Sequence, residues 1–589
     1  MPAAHTRKAL PPPVHYRVEA ADPHAHLFHV TLTVQSPAAL QTLSLPVWIP
    51  GSYLVREFSK NLQRLQARQG RRRVEAVQSA KNRWTVACDP SRPLEVHYEV
   101  YAFDNSVRAA WLDSQRGFFN GTSLCLRVHG AEDAAHGLEI APTAATAGWQ
   151  VATALDALKT DRSGHGLYQA ADYDALVDTP VELGSFWSGS FVAGGVPHRF
   201  VVAGAAPSFD GERLLADARR ICETAIRFWH GRGKPPHAGY LFLLNAVDDG
   251  YGGLEHRNST ALICKRADLP RLGESHAGEG YTTLLGLISH EYFHTWNVKR
   301  LRPAEFARYD YEQENYTELL WFFEGFTSYY DDLLLRRAGL IDDATYLRLL
   351  GKTINQVRQT PGRHLQSVAE ASFDAWTRYY RQDENTPNAT VSYYTKGALV
   401  ALSLDLSLRS EGKTSLDAVM RSLWAASRGG PVTEADLLST LASLSGRSWA
   451  GEIAAWVHGT GDLPLEDLLP RFGTAILEDA APVAQRLGLR VAEQGGSIQI
   501  KTVLRGSAAE KAGLAAGDEW IGIEVAGQAW RLARLDELAL YAGAARSITV
   551  LAARDRRIRR LKLALPTAEK VWRLSIHGAD RLAGWLSAA

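Results

Sequence analysis

Residues His290-Glu291-Tyr292-Phe293-His294 have the types and spacing to hydrolyse a bond at a metal ion. On a helix, positions i and i+4 share one face, so both imidazoles can reach a single ion. Glu291 follows His290 by one position. That sets its carboxylate beside a water at the ion rather than on the ion itself. Zn²⁺ suits two imidazoles, one carboxylate and an open position for water. The metal lowers the pKa of that water to about 7, and Glu291 can take its proton as attack begins. A third ligand is needed. Glu324 lies in Trp321-Phe322-Phe323-Glu324-Gly325-Phe326, far enough beyond His294 for a loop and a returning helix. A carboxylate inside that aromatic run is costly without a cation or strong donors. Glu312, Glu314 and Glu318 are rival ligands, standing in a more polar stretch.

Helices must hold these residues, and the chain from about 280 to 460 reads as mostly helical. "TTLLGLISHEYFHTW", "TELLWFFEGFTSYYDDLLLRRAG" and "YTKGALVALSLDLSLRS" are its clearest helices. Upstream, a helical pattern from Phe209 has apolar residues at i, i+3 and i+4, and a buried-type strand comes next at Tyr240 to Ala246. The first 175 or so residues read as β structure. Tyr16 to Val34, Leu94 to Phe103 and "TSLCLRV" from Thr122 alternate with period two, and Val181 to Val202 continues the strands. Leu463 to Pro482, with three prolines, reads as a connector. The end of the chain reads as strand, turn, short helix, turn and strand, in "GGSIQIKTVLRGSAAEKAGLAAGDEWIGIEV".

Composition narrows the function classes. The 589 residues make about three or four domains. Hydrophobic residues at 46% and charged residues at 22% are those of an ordinary globular chain. Lys and Arg number 65 against 64 Asp and Glu, so no basic excess exists to hold nucleic acid. No run of eighteen apolar residues predicts a membrane span. The opening MPAAHTRKALPPP has basic residues with no apolar stretch behind them. It does not read as a secretory signal, so the expected compartment is the cytoplasm, or the periplasm or exterior if a signal has been removed. Cys88, Cys125, Cys222 and Cys264 are scattered without a CxxC pair, which predicts isolated thiols rather than a disulfide or thiolate site.

H-E-x-x-H followed by a W-x-x-E-G-F-type helix resembles the gluzincin metallopeptidases, which include the aminopeptidase N family. "HEYFHTWNVKRLRP" (His290 to Pro303) and "WIPGSYLVREFSKNLQRLQA" (Trp48 to Ala67) resemble one branch more closely, the glycyl aminopeptidase family with a C-terminal PDZ domain. Gly252-Gly253-Leu254-Glu255-His256 resembles the G-x-M-E-N segment of aminopeptidase N relatives, with Leu254 and His256 where those have Met and Asn. The resemblance implies that this strand edge, with Gly252 and Gly253, binds peptide backbone and that Glu255 holds the substrate amine. Tyr393-Tyr394-Thr395-Lys396-Gly397-Ala398 resembles the Y-x-K-G-A segment whose tyrosine donates to the oxyanion. The resemblance assigns that role to Tyr394, with Tyr393 as the adjacent rival. The tail from Ser497 to about Leu565 is similar to a bacterial PDZ domain, and Leu487-Gly488-Leu489 could offer backbone N–H groups to a peptide C-terminus.

The expected architecture is multidomain α+β. An N-terminal β-sandwich-like domain takes residues 1–178, a thermolysin-like zinc peptidase domain with a helical half takes 179–475, and a PDZ-like domain with a C-terminal tail takes 476–589. The expected activity is that of an aminopeptidase with one Zn²⁺ per chain, held by His290, His294 and Glu324, with Glu291 as general base. Its partners are peptides with a free N-terminus. The resemblance implies a preference for small N-terminal residues, Gly and Ala. The alternative is an endopeptidase that captures substrate C-termini on its PDZ domain. A peptide-binding scaffold with a relic site is a third reading, which the intact H-E-x-x-H disfavours.

Overall fold

A computed structural model describes residues 12–274, 276–567 and 569–587. The opening segment read for a targeting signal therefore lies, up to residue 11, outside the described residues. The protein is multidomain α+β, with all-β sheets at its N-terminal end and a largely helical C-terminal half. It divides into two compact units, Met1–Asn315 and Tyr316–Ala589.

In the first unit, an eight-stranded sheet and two four-stranded sheets share one apolar core. The alternation predicted at Tyr16 to Val34 is an antiparallel pair, Val14–Asp22 with Leu27–Val34, whose inward residues are almost fully buried. "TSLCLRV" differs from its predicted strand. It forms a helical turn, Gly121–Leu124, and a two-residue strand, Arg127–Val128. All four residues of that turn are buried. Its alternation therefore carried no information about a solvent face.

A five-stranded sheet completes this unit, with strands β1 (Trp187–Ala193), β2 (Val196–Ala203), β3 (Tyr240–Val247), β4 (Gly252–Glu255) and β5 (Ser259–Lys265). Its order is β1-β2-β3-β5-β4. Strands β2, β3 and β5 are parallel, β4 runs antiparallel to β5, and β4 is the edge. Strand β3 is buried over seven of its eight residues, as its apolar run Tyr240–Leu244 predicts. The crossover from β2 to β3 is helix α1 (Gly211–His230), started by Asp210, whose side chain accepts from the Arg213 N–H. Helix α2 (Glu279–Phe293) packs against β4 and β5. The N-terminal core extends into Leu241, Leu243, Leu254 and Ala261, so β4 rests on it.

Three long helices of the second unit are α3 (Leu320–Arg337), α4 (Asp343–Arg358) and α5 (Thr395–Ser410). Helices α3 and α5 touch backbone to backbone. A Cβ on Gly325 would fall 2.5 Å from Gly397, and one on Gly397 would fall 2.6 Å from the Trp321 carbonyl oxygen. Only glycine at both positions allows that crossing. Around it, buried Tyr329 donates to Asp405 at 2.7 Å, and Arg337 and Arg409 neutralise Asp417 and Asp405. Removing one partner of such a buried pair costs about 3–5 kcal/mol.

The predicted connector is partly structured. It contains a short helix, Leu465–Leu468, and a strand, Thr474–Ala480, that pairs antiparallel with Lys570–Ile576. That partner lies almost a hundred residues downstream, so no local pattern could announce the pairing. Between the two strands a six-stranded sheet, from Leu489–Gln494 to Arg557–Ala564, encloses its own apolar core. The last helix, Ala579–Leu586, returns to α3, and buried Trp585 donates to the Tyr329 hydroxyl at 3.2 Å. Among the described residues the four cysteines are free, and no helix is long and apolar enough to cross a membrane.

Candidate metal centre

His290 and Glu291 stand on the last turn of α2, and His294 caps it in helical conformation. The Nε2 atoms of His290 and His294 lie 3.1 Å apart, with the two rings almost perpendicular. Two nitrogens bound to one tetrahedral zinc stand about 3.3 Å apart, so the pair needs almost no movement to share an ion. His294 Nδ1 donates to the Asn297 carbonyl at 2.8 Å. Since a carbonyl only accepts, that bond puts the proton on Nδ1 and leaves the Nε2 lone pair for a metal. The tight turn that aims this carbonyl is strained. Val298, β-branched and buried, sits at φ 116°, a conformation such residues rarely adopt.

Glu324 lies on α3, 2% exposed. A carboxylate oxygen of Glu324 and one nitrogen of each histidine all lie within 4.8 Å of one another. They form the one group of three or more His, Cys, Asp or Glu side chains among the described residues that could hold a metal. This donor set, two imidazoles and one carboxylate, fits zinc. The rival acids differ. Glu312 accepts from Ser44 at 2.9 Å, meets His129 at 3.0 Å and pairs with Arg83. Its hydrogen bond from His129, with those from Arg83 and Ser44, pulls its carboxyl down to about 2. Glu318 is exposed and Glu314 half-buried, and neither joins the cluster.

Strand β4 runs past Glu291. A Cβ on Gly253 would fall 2.1 Å from the Glu291 Oε1, so the bare backbone of β4 lies directly against that carboxylate. Arg108 reaches the same strand and donates to the Gly253 carbonyl at 3.3 Å. Glu255, two residues on, is 4% exposed. Its carboxylate lies over Gly51, where a Cβ would fall 2.5 Å from Oε1. Gly51 has φ +91° and ends the Trp48-Ile49-Pro50-Gly51 turn. That turn is pinned by the Trp48 indole N–H, which donates to the Asp310 carbonyl, and by Tyr53, which stacks on Phe306. Buried Lys299, within electrostatic reach of Glu255, holds Asp178 at 2.6 Å. Burial alone would lower the Lys299 ammonium, but Asp178, Tyr309 and Glu255 together raise it. Burial alone would likewise raise Asp178, but Lys299 and His256 carry it well below the usual carboxylate range. Both groups therefore stay charged at neutral pH.

In the second unit, Tyr394 sits at the N-terminus of α5. It is half-buried and stacks on Tyr379 and Tyr393, with centroids 5.5 and 4.9 Å away. Burial, then the nearby Glu324 carboxylate, raises its pKa well above the usual phenol range. The hydroxyl keeps its proton and can donate. Tyr393 is fully buried. Tyr379 is half-buried, and its pKa is also raised, by burial with a contribution from Glu324.

Residues 15–185 match the model of the peptidase M61 N-terminal domain, and residues 283–400 match that of M61 glycyl aminopeptidase. A crystal structure of an aminopeptidase N family protein from Idiomarina loihiensis is 38% identical, with a TM-score of 0.93. The match covers 98% of this chain and 100% of that one. This chain belongs to the M61 glycyl aminopeptidase family. An M1 zinc metallopeptidase from Deinococcus radiodurans is more distant, at 18% identity and a TM-score of 0.46, over 77% of this chain and 94% of that one. No curated protein matches the sequence. The M61 assignment makes the chain a member of a peptidase family. It also agrees with the resemblance carried by "HEYFHTWNVKRLRP" and "WIPGSYLVREFSKNLQRLQA".

Sequence reasoning missed Gly51, Arg108, Tyr379 and the Asp178–Lys299 pair. Gly51 was within reach, since it belongs to a segment that carried the family resemblance. Nothing in sequence linked it to Glu255, or linked Arg108 to β4.

Proposed function

We propose that this M61 family member is a zinc-dependent aminopeptidase that removes small N-terminal residues from peptides. The observation that carries the reading is the convergence of His290, His294 and Glu324, with Glu291 pressed against the edge strand β4. Zinc bound there would act as a Lewis acid on the scissile carbonyl and lower the pKa of a water to about 7. Glu291 takes the proton of the attacking water and delivers it to the leaving amine. Its position against Gly253 keeps it close to a substrate lying along β4. The Tyr394 hydroxyl donates to the developing oxyanion, a contribution of about 2.7–4 kcal/mol for a well-placed donor. Its partial exposure favours it over fully buried Tyr393.

Glu255 holds the substrate ammonium, and Gly252 and Gly253 present backbone to the peptide. With Glu255 packed against the Gly51 turn, the N-terminal end of a substrate has little room to extend. That favours an exopeptidase that counts from the amine. In this reading the domains are 1–178, 179–475 and 476–589, with a thermolysin-like catalytic part. The C-terminal six-stranded sheet serves as a PDZ-like domain. Its Gly488, at φ +72°, sits in the Leu487-Gly488-Leu489 loop that could receive a peptide C-terminus.

The test is a matched pair of Gly-Ala-Phe peptides, with a free or an acetylated N-terminus, each with and without a zinc chelator. Chelator-sensitive cleavage of the free peptide alone is expected. Cleavage of both would replace this reading with that of an endopeptidase guided by the PDZ-like domain.

A further inference from the structure

The second unit contains a cleft of about 820 Å³, whose lining touches the Leu487-Gly488-Leu489 loop only at Gly488. One wall is the end of α4 and the adjoining turn. The other belongs to the C-terminal sheet and its short helix Ala508–Ala512. Cations face it from both sides, Arg358 and Arg363 from the helical wall and Arg486, Arg505, Lys511, Lys562 and Lys570 from the C-terminal wall. Glu569 is the single acidic residue in the lining. Arg363 is paired with Asp462 at 2.9 Å, and Arg358 lies over the Trp572 ring at 3.9 Å. The five cations of the C-terminal wall form no ion pair among the described residues. The Arg486 Nε is shut from solvent without a hydrogen-bond partner.

A concave surface lined by one sign of charge focuses its field and concentrates counter-ions. Guanidinium and ammonium groups converging from two walls match an anion with several charged oxygens, because each arginine can engage two of them. A single surface ion pair contributes little, but several acting on one bound anion contribute together. The volume is that of a small-molecule site.

Both walls also grip one short segment. A Cβ on Gly362, in the helical wall, would fall 2.2 Å from the Thr390 carbonyl oxygen, so that turn lies against residue 390. Asn388 clasps the sheet wall. Its amide donates to the Val503 carbonyl at 3.0 Å, and its carbonyl accepts from the Arg505 N–H at 2.8 Å. Tyr393 and Tyr394 come within a few residues of it in the chain.

We propose that this cleft binds a phosphate-bearing polyanion and that its occupancy shifts Tyr394 through residues 388–390. Without the anion, the cations of the two walls repel each other. With it, the walls draw together and carry the clasped segment with them. The coupling, unlike the binding, rests on the role given to Tyr394 above.

The probe is tripolyphosphate, titrated by calorimetry into the full chain at two salt concentrations. Saturable binding that weakens with salt is expected. The double variant Arg505→Glu with Lys511→Glu, and Lys562→Glu on a different strand, should each lower affinity at least tenfold with unchanged thermal melts. Absence of saturable binding, or wild-type affinity in all these variants, would overturn the site. Binding of an acidic peptide in place of tripolyphosphate would overturn the phosphate assignment. Turnover of a free-N-terminus peptide should change at saturating tripolyphosphate in the wild type and stay constant in the double variant. An equal change in both would mark metal stripping and overturn the coupling. Calorimetry needs no turnover, so failure of the peptidase reading leaves the binding test intact.

Discussion

Replacing Gly253 by alanine adds one carbon, and the structure says where it goes. The new Cβ would stand 2.1 Å from the Glu291 Oε1, whereas real contacts at such a carbon begin near 3.0 Å. The carboxylate must withdraw by about 0.9 Å, or β4 must move away from α2. Gly253 is not among the positive-φ glycines, so its backbone accepts alanine without strain. A misplacement of about 1 Å at a reacting group costs about 100-fold in rate, or about 2.7 kcal/mol. The assay is kcat/KM on a free-N-terminus peptide, with zinc content and thermal melt measured alongside. Gly253→Ala should lose about two orders of magnitude while retaining zinc and fold. The loss should also shrink in a Glu291→Gln background, because the residue displaced is then already disabled. Activity within threefold of wild type, or the same 100-fold loss on top of Glu291→Gln, would refute the placement of Glu291 against β4 as the catalytic arrangement.

Glu291→Gln alone should keep zinc by elemental analysis and lose most turnover, and substantial residual activity would remove Glu291 as the base. Glu255→Gln should raise KM for free-N-terminus peptides about 10–100-fold, since a hydrogen bond to a charged group contributes about 1.5–3 kcal/mol. Unchanged KM would remove Glu255 as the amine anchor. Gly397→Ala should lower stability by about 1–3 kcal/mol by forcing α3 from α5, read as a lower melting temperature with a parallel fall in activity. Glu312→Gln should destabilise the protein at neutral pH by an amount that shrinks in acid. The folded carboxyl is held at about 2, below its unfolded value, so its contribution is present above the unfolded pKa and is lost as pH falls from about 4.5 toward 2. A destabilisation independent of pH would show that Glu312 acts by packing rather than by charge.

The residues proposed to do the chemistry are the most legible part of this protein. Spacing of i and i+4 on a helix is a local property, so His290, Glu291 and His294 could be placed together from sequence alone. The helix of Glu324 and the strand Tyr240–Val247 were similarly legible, because each is rich in apolar and aromatic residues. The alternating strands of the N-terminal sheets were readable where one face meets solvent. They were not readable at Gly121–Leu124, where every residue is buried.

Tertiary structure decided what lies far apart in the chain. Sequence left Glu312, Glu314, Glu318 and Glu324 as rivals. Glu312 is instead bound to His129, Arg83 and Ser44, partners 183 to 268 residues upstream whose approach no local pattern encodes. Tyr393 and Tyr394 are adjacent and chemically identical, and only packing buries one fully while leaving the other half-exposed. The glycines show the same division. Their presence could be read, but what each excludes could not: Gly51 under Glu255, Gly253 against Glu291, and Gly325 against Gly397. A missing side chain acts through whatever backbone or carboxylate comes to occupy its space, and that neighbour is supplied by long-range packing rather than by the residues beside it in sequence.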